Sequence, residues 1–409
     1  TPTHNSSSAA SDVYKRQIPG RSHWIWMQKN SNGKHSIVEI KAKNWDTHVL
    51  VKELSRKLNI SQKSIGFAGT KDKRAITTQH FSLRVAKEKI PTLDLENIDI
   101  TFKHKSIKPI RLGNLVGNKF TIKIANTVNG RENIDNILSE LRGFFPNYFG
   151  VQRFGTVRPI THIVGEKIVR GDYEGAVFDY LTIDSPKFAG VEGREYLLKT
   201  RDFAKSIDKF PAHMLFERQL LGHLSRNKGD FTGAILQLPE SLSKMLVHGY
   251  QSLIFNKVLD LRMKEGIDAF LPQIGDLVMP ADGYGGPDQR VTIEVTERNQ
   301  AKLSKRCREG KAWIAGLLPG ANSNFSSGIQ GELERQVMEE LDVKFEDFII
   351  DDIPKLSSYG MYRPLFQKYN DIELEFDSGD PIFSFWLHKG TYATSFLREI
   401  MKSSDVTAY

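Results

Sequence analysis

Only one cysteine, Cys307, occurs in 409 residues. That rules out an internal disulfide and a cysteine-rich zinc site, and it fits a reducing compartment. Long apolar runs are also missing, so no stretch is long enough to span a bilayer. No positively charged start leads into an apolar stretch and a small-residue cleavage site, so no secretory signal is read. No His-x-x-x-His or Cys-x-x-Cys pair is present to hold a metal on a helix. Gly66 and Gly69 precede Lys71, but the phosphate-loop spacing is wrong and Asp72 follows the lysine. Gly283, Gly285 and Gly286 make no dinucleotide fingerprint.

What is present suits a soluble globular protein: 39% hydrophobic and 26% charged residues. The length favours two domains over one core. The net charge of +8 is unevenly spread. Lys34 to Arg111 carries 17 basic and 8 acidic residues, whereas Glu339 to Asp380 carries 4 basic and 12 acidic ones. A basic region on a balanced chain points to a polyanionic partner, or to an ordinary solvated face. The acidic segment reads as facing solvent.

Residues 1–17 show no apolar periodicity and read as disordered or foreign sequence, with ordered pattern from Ile18. Residues 403–409 read as a loose tail. Strands are expected at Trp24–Gln28 and His35–Ala42 around the turn Asn30–Gly33. Asp46 or Thr47 can cap a helix whose stripe is Leu50, Leu54 and Leu58. Ile65–Ala68 reads as a strand entering a polar loop, followed by another strand near Thr78–Val85. Phe120, Ile122 and Ile124 alternate with Thr121 and Lys123. Ile134, Ile137, Leu138 and Leu141 mark an amphipathic helix. Helical rhythm dominates from Arg158 to Val337, before a strand at Ile382–Leu387 and a helix at Tyr392–Met401. Strands at both ends of a helical middle predict one α+β domain interrupted by another.

Two stretches carry chemistry. In Gly66 to Gln79, a carboxylate sits among Lys71, Lys73 and Arg74. These cations favour its ionised form, in which Asp72 can act as a nucleophile, and they can hold an RNA backbone. A surface ion pair is the bland alternative. In Pro146 to Gly155, Phe149 can stack on an extruded base and Asn147 can hydrogen-bond, although such aromatics are more often core.

Together these stretches resemble the TruD family of tRNA pseudouridine synthases. Gly69, Lys71, Asp72, Ala75, Thr77 and Gln79 match one family signature. Asn147, Tyr148, Phe149, Gly150, Gln152, Arg153, Phe154 and Gly155 match another. Met245–Leu259 and Lys389–Lys402 are similar more loosely, and the long middle segment is more like archaeal and eukaryotic members. The usual amino-terminal Lys segment and its Pro-x-Asp-Phe-x-Val-x-Glu-like strand are not matched.

The resemblance implies a pseudouridine synthase fold, a mixed and largely antiparallel sheet flanked by helices. A mainly helical α+β TRUD domain is inserted into it. The expected division is catalytic domain 18–157, insertion 158–337 and catalytic domain 338–402. The resemblance implies tRNA as partner, with uridine thirteen the usual target, and no metal or organic cofactor. A monomer away from membranes is expected, cytoplasmic, or nuclear in a eukaryote. The resemblance makes Asp72 the catalytic aspartate, Phe149 the aromatic that stacks on the uracil, and Asn147 a pocket-shaping residue. Lys71, Lys73 and Arg74 are the expected substrate contacts. A non-catalytic tRNA-binding or RNA-folding protein fits the charge equally well.

Overall fold

The computed structural model describes residues 32–90, 95–125, 130–184 and 189–402, together with the main-chain path of 10–18. The expected strand Trp24–Gln28 and the tail 403–409 lie outside the described residues. Two compact units divide the chain. The first comprises residues 1–145, 281–286 and 367–409; the second comprises 146–280 and 287–366. These compact units change over at 145 and 366, and around 281–286; the domain boundaries expected from sequence are 157 and 337. Leu333, Val337, Phe348, Ile350 and Ile353 are buried in the second unit's core, and periodicity alone does not say which core an apolar stripe joins.

The first unit is built on an eight-stranded sheet. Its early strands are β1 (Ala10–Ile18), β2 (His35–Lys43), β3 (Ile65–Phe67), β4 (Ile76–Leu83), β5 (Ile98–Ser106) and β6 (Gly117–Ile124). From one edge the order is Asn370–Asp377, Asp380–His388, β6, β1, β4, β2, β5, with β3 also paired to β4.

β1 corrects the sequence reading, which left residues 1–17 without structure. It pairs antiparallel with β6 from Ala10 opposite Ile124 to Ile18 opposite Gly117. It also runs parallel to β4, with Tyr14, Lys15 and Arg16 beside Ile76, Thr77 and Thr78. The reason is main-chain chemistry. β4 and β6 each present a row of N–H and C=O groups that must be paired, and a strand between them satisfies both rows whatever its side-chain pattern. Residues 1–9 lie outside the described residues.

Elsewhere the local signals act as expected. The Asp46 carboxylate accepts from the N–H groups of His48 and Val49 at 2.8 and 3.1 Å, starting the helix Thr47–Leu58. Its Leu50, Leu54 and Leu58 pack on Val38, Ile40, Phe81 and Leu83 of β2 and β4. Phe120, Ile122 and Ile124 of β6 join Phe383, Phe385, Phe396 and Ile400 in a second core on this unit. The acidic strand Asn370–Asp377 lies at the sheet edge with Glu373, Glu375 and Asp377 exposed; Asp377 and Asp380 reach Lys123 at 2.7 and 3.5 Å.

The second unit is mainly helical. Its longest helix, Glu240–Lys264, buries Val247, Tyr250, Phe255 and Leu259. A four-stranded antiparallel sheet, in the order 361–364, 312–318, 277–280, 293–294, completes it. Among the described residues, no helix is long and apolar enough to cross a membrane.

Candidate active site

Asp72 lies on the loop between β3 and β4. β3 pairs with the far half of β4, Phe67 opposite Phe81, while β1 occupies the same edge beside Ile76–Thr78. The chain therefore cannot return to Ile76 as a tight hairpin and must leave the sheet as residues 68–75. Three hydrogen bonds pin that excursion. The Ala68 carbonyl accepts from the Gly113 N–H at 2.9 Å, and the Ala75 carbonyl accepts from the Asn44 N–H at 3.0 Å. Between them, the Lys71 N–H donates to the Thr47 hydroxyl at 2.8 Å. Thr47 opens the helix Thr47–Leu58 and is itself buried.

The pinned loop divides its residues sharply. Lys71 is buried at 5% exposure, whereas Asp72, Lys73 and Arg74 are exposed. A carboxylate is thus offered to solvent with two cations directly after it, while the residue before it is locked inward. Ala75, Thr77 and Gln79 of the signature are buried as well.

In the second unit, Asn147 has no exposed surface and all its polar groups are used. Its N–H donates to the Leu365 carbonyl at 2.8 Å and its side-chain amide to the Pro364 carbonyl at 2.8 Å. Its side-chain oxygen accepts from the Arg363 guanidinium at 2.6 Å, and its main-chain carbonyl accepts from the same group at 3.2 Å. That guanidinium also lies 4.1 Å from the centre of the Phe149 ring, with Arg153 at 4.9 Å and Phe255 edge-on at 5.6 Å. Asn256 clamps the Phe149 main chain, accepting from its N–H at 2.9 Å and donating to its carbonyl at 3.0 Å. Phe149 is 5% exposed.

The sequence-read residues therefore fall into two groups, Lys71 to Arg74 in the first unit and Asn147 with Phe149 in the second. Arg363 and Asn256 were not read from sequence, and Thr47 was read only as a possible helix cap. Each acts through a partner far along the chain. Cys307 is buried, and burial together with the charge of Asp276 pushes its thiol up to about 12, far from a nucleophile's range. Among the described residues, no group of three or more His, Cys, Asp or Glu side chains could hold a metal ion.

Comparison with known proteins gives this geometry a context. A "Probable tRNA pseudouridine synthase D" of Methanosarcina barkeri is 38% identical over 391 residues, covering 92% of this chain and 89% of that protein. One of Thermococcus sibiricus is 36% identical over 376 residues, covering 90% and 88%. A crystal structure titled "Putative tRNA pseudouridine synthase D (TruD)" from Methanosarcina mazei superposes with a TM-score of 0.86 at 35% identity, covering 100% of this chain and 96% of that one. The family described as "tRNA pseudouridine synthase D (TruD)" matches residues 14–400. With most of β1, the pinned Asp72 loop and the Asn147–Phe149 segment inside the matched span, the chain belongs to the TruD family.

Proposed function

We propose that this chain isomerises a uridine of tRNA, at position thirteen, to pseudouridine, with Asp72 as the catalytic carboxylate. The observation that carries the reading is the exposed Asp72 on a loop fixed at Ala68, Lys71 and Ala75. A catalytic group must be held in place, since about 1 Å of misplacement can cost a hundredfold in rate.

The reaction breaks the bond between N1 of the uracil and C1′ of the sugar, turns the base and joins C5 to C1′. The proton on C5 leaves and N1 takes one up, so no oxidant or cofactor is needed. Asp72 attacks C1′, attacks C6 of the base, or removes a proton from the sugar. Extruding the uridine costs a few kcal/mol, which backbone contacts must offset. Lys73 and Arg74 supply such contacts beside the carboxylate. Lys71, turned inward, supports the loop. Phe149 stacks on the uracil and Asn147 shapes its pocket, as the family signature implies.

Release of tritium from tRNA labelled at C5 of uridine tests the proposal, because only loss of that proton frees the label. Stoichiometric release is expected. Tight tRNA binding without release would overturn it and assign a tRNA-binding protein instead.

A further inference from the structure

A second basic feature lies in the first unit, away from the Asp72 loop. His35, Lys63, Arg84 and Arg111 line a pocket of about 590 Å³ together with Gly66, Phe67 and Ile110. No carboxylate lines it. Lys63, Arg84 and Arg111 are exposed, and none of the three makes an ion pair among the described residues. The buried Nδ1 of His35 has no hydrogen-bond partner among the described residues. Burial, then the charges of Arg84 and Lys105, lower the His35 pKa, so cationic charge converges on this imidazole.

The pocket walls are fixed. Ser82 Oγ accepts from the Ile110 N–H at 2.9 Å and donates to the Gly66 carbonyl, tying the 109–111 segment to β3 and β4. A Cβ on Gly66 would fall 2.1 Å from the Ile110 carbonyl oxygen, so only glycine permits that approach. The Arg84 N–H bonds to the Ser64 carbonyl at 3.1 Å, and the Arg111 N–H to Asn114 at 2.7 Å. The two arginines thus rise from anchored main chain. Leu112, 72% exposed, stands at the rim.

The site is not part of the Asp72 loop. β2 runs from His35, in the pocket, to Lys43, opposite Ile76 where the Asp72 loop re-enters the sheet. Those eight steps span about 26 Å at 3.3 Å per residue. That is the length of β2, not the distance to Asp72: Phe67 on the pocket wall precedes Asp72 by five residues, so the chain separates the two features by at most about 17 Å, and one polynucleotide can meet both.

We propose that the His35–Arg84–Arg111 pocket holds phosphodiester groups of tRNA flanking the target uridine, and so sets where the substrate docks. This rests on the reading that tRNA is the substrate. A strand of fixed cations without a carboxylate is a backbone reader: it fixes register on the polynucleotide and carries no base specificity.

The test is the double variant Arg84→Gln, Arg111→Gln, with Lys57→Gln on the exposed face of the helix Thr47–Leu58 as a charge control. Losing two phosphate contacts should flatten the slope of log affinity against log salt by about two. KM for tRNA should rise about tenfold with kcat unchanged and the control like wild type. An unchanged slope and KM in a double variant with a wild-type melting temperature overturns the proposal, as does a fall in kcat alone. Should the variant melt early, the unsubstituted arginines decide. In the Asp72→Asn chain, tRNA should shield Arg84 and Arg111 from phenylglyoxal, read by peptide mass spectrometry, and absence of shielding overturns the proposal. Inorganic phosphate is run in parallel. Shielding by millimolar phosphate but not by tRNA assigns a free-anion site and again overturns it. A flattened slope in a chain whose wild type releases no tritium supports the docking site while the catalytic reading fails.

Discussion

The main-chain N–H of Lys71 and the hydroxyl of Thr47 lie 2.8 Å apart, across 24 residues of sequence. This bond ties the residue before Asp72 to the first turn of a helix that is itself capped by Asp46 and packed through Leu50 and Leu54. The carboxylate's position is thereby referred to the sheet's core. Thr47→Val keeps the shape and removes the acceptor, leaving a buried N–H unpaired at about 1–3 kcal/mol. We expect kcat on tRNA to fall about tenfold or more with a smaller rise in KM, because Asp72 shifts with the loop that also carries Lys73 and Arg74. Steady-state kinetics on one transcript, with melting curves, checks it. A wild-type kcat would show that the other two anchors suffice.

Asp72→Asn preserves size and removes the charge. Pseudouridine formation should drop below detection, while the dissociation constant for tRNA stays within a few fold, since Lys73 and Arg74 remain exposed beside it. Chemical mapping of pseudouridine after incubation reads the first quantity and filter binding the second. Full turnover in the variant would remove Asp72 from its assigned role.

Arg363 carries two jobs in the second unit. It donates to both oxygens of Asn147 and covers the Phe149 ring. Arg363→Met keeps the apolar stem but leaves those buried oxygens without a donor, at roughly 2–4 kcal/mol. Arg363→Lys should recover less than half, because one ammonium cannot reproduce a planar fork. Urea unfolding of the three proteins decides this. Equal midpoints for Arg363→Met and wild type would mean that water replaces the guanidinium at no cost.

Where a signal is local, the sequence was readable. Asp46 with Leu50, Leu54 and Leu58 announced a helix, and alternation announced β6, because cap and period both act within one element. The Asp72 loop stood out through its family signature, since a charged cluster between two strands reads equally well as a surface ion pair. β1 was not readable: its order comes from main-chain pairing to β4 and β6, which leaves no mark on side-chain pattern. The strand Ala312–Leu318 is buried at every position, so it shows no alternation and merges into its helical surroundings. Arg363 reaches Asn147 across 216 residues, a separation at which one sequence carries no trace of contact.

Cys307 offers a prediction in alkali. The thiol sits on the helix Gln300–Arg308 at 3% exposure. Burial raises its pKa from 9.0 to about 12, with Asp276 adding to the effect and Arg306 opposing it. The folded state thus favours the neutral thiol. That preference is fully present below pH 9, where the unfolded thiol is also protonated. It is lost as pH rises from 9 toward 12, since only the unfolded chain then gains from ionisation. At about 1.36 kcal/mol per pH interval, the ceiling on this loss is about 4 kcal/mol. Cys307→Ala loses packing at every pH but carries no such titration. Wild type should therefore lead the variant at pH 8 and surrender that lead by pH 11. Paired denaturant midpoints at both values cancel the tyrosines and lysines common to the two chains. A constant gap between them would mean that the thiol ionises in place, with water reaching the helix Gln300–Arg308 before the unit unfolds.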